Sequence, residues 1–146
     1  MAYEKIIGNE KVKEMLEQTV KKDKVLHSYL FTGKEGIGKF LIAEEFAQSI
    51  LCSNPQEAPC GHCKSCLEFE SGNHPDYQVI EPDGNNIKIE QIRYSNAKIL
   101  EKPVSSAKKV YIIRDSQKMT KEAQNSLLKT LEEPPEYAVI ILITSR

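Results

Sequence analysis

Four cysteines lie between residues 52 and 66, three of them in the run Cys60-Gly-His-Cys63-Lys-Ser-Cys66, with Cys52 seven intervening residues upstream. Two-residue spacings let neighbouring thiolates converge on one tetrahedral ion, and Gly61 permits the tight turn between them. Structural Zn²⁺ held by Cys52, Cys60, Cys63 and Cys66 is the expected occupant. An iron–sulfur cluster is the rival: the ferredoxin run also begins C-x2-C-x2-C, but it continues to a Cys followed by Pro, whereas Leu67, Glu68 and Phe69 lead to no fourth downstream cysteine. Four unligated thiols is the third reading, and it fits poorly with so polar and Gly/Pro-rich a surrounding. His62 and His74 are not expected to be ligands. A closed four-thiolate site leaves no position for water activation, so its expected role is to staple a segment rather than to catalyse.

The second constellation is Gly33-Lys-Glu-Gly36-Ile-Gly38-Lys39-Phe40. Small residues let backbone N–H groups turn inward around an anion, the N-terminus of a following helix adds positive potential, and a lysine meets phosphate charge. Gly33, Gly36, Gly38 and Lys39 supply these. A phosphate loop ordinarily continues from its lysine to Ser or Thr, whose hydroxyl holds Mg²⁺; here the position is Phe40. The partner strand of such a site ends in acidic residues, and Val110-Tyr-Ile-Ile-Arg114-Asp115 puts a cationic guanidinium where the metal-side carboxylate is expected, with Asp115 the one carboxylate at the tip. Two metal-handling positions are thus lost together. Arg114 as a solvated strand-end residue, with Asp115 capping the next turn, is an equally open reading.

The elements that must position these groups alternate. Val12, Leu16 and Val20 make a helical stripe, with Asn9 as its N-cap. Tyr29 to Thr32 reads as a short buried strand running into the glycine loop, and the next helix is expected to turn Leu41, Phe46 and Ile50 to a core. Beyond the cysteines follow a strand at Tyr77 to Glu81, a Pro-Asp-Gly turn, a helix from about Glu90 to Leu100, a strand over Lys109 to Asp115, a helix opened by Thr120 and stopped by Pro134-Pro135, and a strand from Tyr137. Apolar strands between amphipathic helices predict an α/β fold with a parallel sheet covered on both faces. Strand, glycine loop and helix in that order make the phosphate-loop fold the expected class, with residues 52 to 76 as an insertion.

Composition sets limits. The chain has 146 residues, 40% hydrophobic and 28% charged, enough for one domain with a proper core. Lys+Arg 20 against Asp+Glu 21 gives a net charge of -1, so no bulk field draws the chain to nucleic acid or anionic membrane. The longest apolar run, Ala138 to Ile143, falls far short of the ~20 residues that span a bilayer, and MAYEKIIG has no signal-peptide core. A cytoplasmic protein without membrane contact is expected, a compartment in which crowded cysteines point to metal rather than disulfides. Arg146 stands at the end of the last apolar strand, where such sheets usually place functional loops and a further helix, so residues 1 to 146 are expected to be a fragment of a longer protein.

Taken together, LHSYLF before the glycine loop, the four-cysteine insertion followed by His74-Pro-Asp-Tyr77, and NSLLKTLEEPP from Asn125 to Pro135 resemble the N-terminal domain of the bacterial clamp-loader subunits of DNA polymerase III, members of the AAA+ superfamily of P-loop NTPases. The similarity extends over essentially the whole chain. Two branches share these features, the ATP-hydrolysing tau/gamma type and the delta-prime type, and Phe40 with Arg114-Asp115 resembles the second.

The resemblance implies a non-hydrolysing subunit that helps load the sliding clamp onto primed DNA, in a hetero-oligomeric ring with the delta and tau/gamma subunits. It implies membership of a polymerase (nucleotidyltransferase) holoenzyme without polymerase activity in this chain, and ATP with Mg²⁺ bound weakly or not at all. It places Thr144 as the candidate polar sensor, with no catalytic residue; the family's arginine finger, helical lid and collar lie outside residues 1 to 146, and Arg146 is not that finger. Two alternatives stay open: an active ATPase of tau/gamma type, and a zinc module that binds DNA directly, for which Lys64 is the one basic residue inside the cysteine run.

Overall fold

The computed structural model describes residues 10–33 and 38–145. Asn9, Gly36 and Arg146 therefore lie outside the described residues. In chain order the elements are α1 (Glu10–Lys21), β1 (Ser28–Thr32), α2 (Lys39–Leu51), α3 (Lys64–Glu70), β2 (Tyr77–Ile80), α4 (Ile89–Ile99), β3 (Lys109–Ile113), α5 (Lys121–Glu132) and β4 (Ala138–Thr144), with short 3-10 turns at Pro55–Glu57 and Ser116–Lys118. The four strands form one parallel sheet in the order β1-β4-β3-β2. No helix among the described residues is long and apolar enough to cross a membrane.

Alternation along the two central strands builds two cores. Val110 and Ile112 of β3 with Val139, Ile141 and Ile143 of β4 meet Leu16 and Val20 of α1 and Ile42, Phe46 and Ile50 of α2. Tyr111 and Ile113 with Ala138 and Ile140 meet Ile92 and Ile99 of α4 and Ala123 and Leu127 of α5. Both faces of β3 and β4 are covered, as their unbroken apolar sequences require. Thr120 accepts a bond from the Ala123 amide at 3.1 Å and so caps α5 as its sequence predicts. Lys109 lies buried within β3, where its ammonium donates to the carbonyls of Lys98 (2.5 Å) and Glu101 (3.0 Å) and satisfies the C-terminal end of α4.

Two expectations are corrected. β1 is not buried on both faces: Tyr29 and Phe31 pack on Phe46, with ring centroids 5.0 and 6.5 Å away, but Leu30 on the other face is 60% exposed. The reason is the edge position of β1, which the α4 and α5 layer over β2, β3 and β4 does not reach. Leu41 is likewise exposed rather than in the core. At about 100° per residue it points about 140° away from Phe46, and Ile42 and Ala43 take the inward positions.

Candidate functional sites

α2 joins the two constellations, since Gly38 and Lys39 open it and Cys52 closes it. Gly38 stands in the left-handed region (φ 76°), which turns the chain from the glycine loop into the helix with no Cβ to clash.

At the C-terminal end of α2, Cys52, Cys60, Cys63 and Cys66 bring their sulfurs within 4.8 Å of one another, with Cys52 and Cys63 3.9 Å apart. A tetrahedral ion about 2.3 Å from four sulfurs spaces them about 3.8 Å apart, so the geometry fits a divalent metal. Gly61 takes φ 80° in the turn between Cys60 and Cys63, and Cys63 is the N-cap of α3, which places Cys66 one turn on.

Hydrogen bonds surround the sulfurs. Cys52 accepts from the amides of Asn54 and Cys60 (both 3.4 Å), Cys60 from those of His62 (3.5 Å) and Cys63 (3.3 Å), and Cys63 from that of Cys66 (3.4 Å). Burial pushes Cys52 up to about 12 and also raises Cys66. Burial acts on Cys63 in the same sense, but bonds from Ser53 and Cys66 outweigh it and bring the thiol down to about 6. Burial thus disfavours the thiolates of Cys52 and Cys66, a cost that a bound divalent cation would offset, so the donor set fits a metal ion.

The insertion is tied to the sheet through residues that spacing alone did not single out. Asp76, 0% exposed, accepts from three successive amides of the loop before β3: Val104 and Ser105 at 2.7 Å and Ser106 at 2.8 Å. His74 Nδ1 accepts from the Asp76 amide at 3.0 Å, which leaves the proton on Nε2 facing Ser65 Oγ (2.8 Å) and Ser106 Oγ (3.1 Å). Burial holds this imidazole below its ordinary pKa. Ser106 Oγ in turn donates to the Leu51 carbonyl at 2.9 Å, and Phe69 packs on Tyr77 with centroids 4.4 Å apart. Neither His62 nor His74 belongs to the cysteine cluster. The signal for this clasp was the run His74-Pro-Asp-Tyr77, whose polar partners sit about thirty residues away.

At the N-terminal end of α2 lies an open cleft of about 500 Å³, lined by Gly38, Lys39, Phe40, Leu41, Arg114, Asp115, Ile143 and Ser145. Lys39 donates to the Gly33 carbonyl. The Arg114 guanidinium lies 3.8 Å from the centroid of the Phe40 ring, a cation–π stack. The Arg114 amide continues the sheet by bonding the Ile80 carbonyl at 2.8 Å.

One turn along α2, Glu44 accepts a long bond from the Tyr77 hydroxyl (3.4 Å). Burial raises its pKa against the opposing effects of that bond and of the Arg114 charge. Asp115 takes φ 51° and opens the next turn through its carbonyl, bonded by the Lys118 amide at 2.8 Å, not through a side-chain cap. Thr144 pairs in register with Thr32 and is buried, while the adjacent Ser145 lines the cleft and accepts from Gln117 at 3.3 Å. A phenyl ring has no lone pair for Mg²⁺ and a guanidinium repels it, so the residues at these two positions do not fit that ion.

A parallel sheet with a glycine-loop helix on one face and a four-cysteine insertion at that helix's far end defines a phosphate-loop α/β domain of AAA+ type. The family model described as DNA polymerase III, delta subunit, matches residues 8–146, and the chain belongs to that family. It is 41% identical over 136 residues to the DNA polymerase III subunit delta' of Bacillus subtilis, a match spanning 93% of this chain and 41% of the relative. It is 38% identical over 142 residues to the subunit tau/gamma of Haemophilus influenzae, spanning 96% of this chain and 20% of the relative. Among solved structures, a DNA polymerase III gamma subunit-related protein from Thermotoga maritima superposes with a TM-score of 0.68 at 30% identity, over 92% of this chain and 39% of that one. The chain thus spans between 20% and 41% of the length of these relatives.

Proposed function

We propose that this chain is the AAA+ domain of a clamp-loader subunit that acts through protein contacts and does not hydrolyse ATP. The observation that carries this reading is the Arg114–Phe40 stack at 3.8 Å. Both positions where a hydrolysing site needs an oxygen ligand, one direct and one through water, hold groups that bind each other instead. Gly33, Gly36, Gly38 and Lys39 are then a phosphate loop kept for the turn into α2, and Thr144 a sensor-position residue without a nucleotide to report. Other clamp-loader subunits are the expected partners, of the delta and tau/gamma kinds, with the sliding clamp and primed DNA reached through the assembly. The cysteine insertion, residues 52 to 76, holds structural Zn²⁺; four sulfurs within 4.8 Å support that choice.

The test is Mg²⁺-dependent ATP hydrolysis by the full-length protein. Turnover is expected at background even at high ATP, and Phe40→Thr alone is expected not to raise it, because Arg114 keeps positive charge beside the metal position. Steady turnover that disappears in Lys39→Ala would favour the alternative, an ATPase of tau/gamma type.

A further inference from the structure

Groups from four parts of the chain meet at the His74 side chain, and their chemistry fixes the direction of the hydrogen bonds between them. Ser106 Oγ lies 2.9 Å from the Leu51 carbonyl, which can only accept, so the one hydroxyl proton of Ser106 goes there. Ser106 must then accept from Ser65 Oγ at 3.0 Å or from His74 Nε2 at 3.1 Å. At the other end the Asp76 amide can only donate, so His74 Nδ1 accepts from it at 3.0 Å and the ring proton sits on Nε2, 2.8 Å from Ser65 Oγ. With Ser65 donating onward to Ser106, one unbroken relay runs from the residue before β2, through α3 and the loop before β3, to the end of α2. Ser65 and His74 are both buried, so water offers these groups little replacement.

A neutral imidazole fits this relay and an imidazolium does not, because both of its nitrogens are donors. The charges that act on the ring are two carboxylates. Asp76, at the start of β2, already accepts from the amides of Val104, Ser105 and Ser106. Glu68, on α3 one turn after Ser65, has a buried Oε1 with no hydrogen-bond partner among the described residues. The end of α2 meets the relay through the Leu51 carbonyl, and the loop before β3 through the Ser106 hydroxyl. Both carboxylates favour a charged ring, yet burial outweighs them and keeps it neutral to lower pH than an ordinary histidine.

We propose that this relay is a proton-operated latch: neutral His74 fastens the cysteine segment to the sheet, and a second proton, which must enter at Nδ1, sets two donors against each other at the Asp76 amide and releases the segment. The latch lies on the sheet side of the segment and holds whether or not the sulfurs carry a metal. Because the folded chain binds this proton less readily than the unfolded chain, fastening is complete above about pH 6.5 and weakens as pH falls below it, by up to about tenfold per pH unit.

The experiment uses the full-length protein. Hydrogen exchange is followed by NMR at the Asp76 amide, whose hydrogen His74 accepts, and expressed as protection relative to an unstructured chain at each pH. Protection is expected to be level above about pH 7 and to fall by up to about tenfold per pH unit below about 6.5. His74→Asn keeps a carbonyl that can accept from the same amide but has nothing to titrate, so its protection is expected to stay level over that range. Acid acts on the cysteines of both proteins alike, and the comparison removes that contribution.

An equal fall in the two proteins, or no fall in the wild type, would overturn the latch. Should His74→Asn not fold, the imidazole nitrogen resonances of the wild-type protein decide. A neutral ring with its proton on Nε2 and a titration midpoint below about 6.5 is expected, whereas a proton on Nδ1 or a midpoint at or above that value would overturn the inference.

Discussion

The two ends of α2 answer the same question in opposite ways. At the cysteine end, four sulfurs converge within 4.8 Å and three of them accept backbone amide bonds, an arrangement that suits a divalent cation. At the glycine-loop end, the charged side chains already meet other groups of the chain: Lys39 bonds the Gly33 carbonyl and Arg114 lies on Phe40. Converging sulfurs suit a cation, whereas a cleft whose cationic groups already have partners within the chain suits one less. One helix carries both.

The sharpest break of this comparison is at the cysteines. Cys63→Ser removes one of the four clustered sulfurs, which is also the N-cap of α3. The full-length protein is expected to carry about one zinc per chain, and the variant to lose it with a retention loss beyond about 100-fold, the upper range for losing an outer partner alone. Elemental analysis checks the first, and hydrogen exchange the second consequence: faster exchange over 52–76 with β3 and β4 still protected. Iron in the wild-type protein, or a variant that keeps its zinc, would remove the contrast between the two ends.

A smaller effect is expected where the insertion meets the sheet. Asp76→Ala leaves three amides, those of Val104, Ser105 and Ser106, without the buried carboxylate that accepts from them. Stranding buried donors costs about 1–3 kcal/mol for each group, and with relaxation of the loop a net loss of about 3 kcal/mol is expected in chemical denaturation. Zinc content should stay at one per chain, since the Asp76 carboxylate binds the amides of the loop before β3. A loss of metal together with stability would mean that the clasp and the cysteine site are one unit rather than neighbours.

Local patterns were the legible ones. The cysteine spacing, the Thr120 cap and the apolar runs of β3 and β4 each depend on residues close in sequence, and the structure brings the sulfurs together, caps α5 and covers both strands on both faces. Phe40 and Arg114 were legible as departures from a motif, but their mutual stack was not, because it joins residues 74 positions apart by number. β1 misled for a related reason: Tyr29-Leu30-Phe31 is apolar whichever neighbours the strand has, and only the sheet order shows that Leu30 has no layer over it. Gln48 and Asp76 read as ordinary polar residues until tertiary structure gives their atoms partners.

The smallest effect is expected at the residue that most resembles a motor part. In a hydrolysing loop the lysine stabilises charge on the transferring phosphoryl group, and losing such a group slows the step about 100-fold or more. Here Lys39 donates to the Gly33 carbonyl, at the mouth of a cleft lined by a phenyl ring and a guanidinium. Lys39→Ala removes that local bond at a loop beside the partly exposed start of α2, and leaves the Leu16, Phe46 and Ile112 core and the cysteine end untouched. Full-length protein carrying Lys39→Ala, reconstituted with the other clamp-loader subunits, is therefore expected to place clamps on DNA at nearly the wild-type rate. The measurement must include assembly, because a loader that fails to form would mimic a lost motor. A fall of two orders of magnitude in clamp loading, with the complex still assembled, would show that the glycine-loop end still works on a phosphate, and the two ends of α2 would no longer differ in kind.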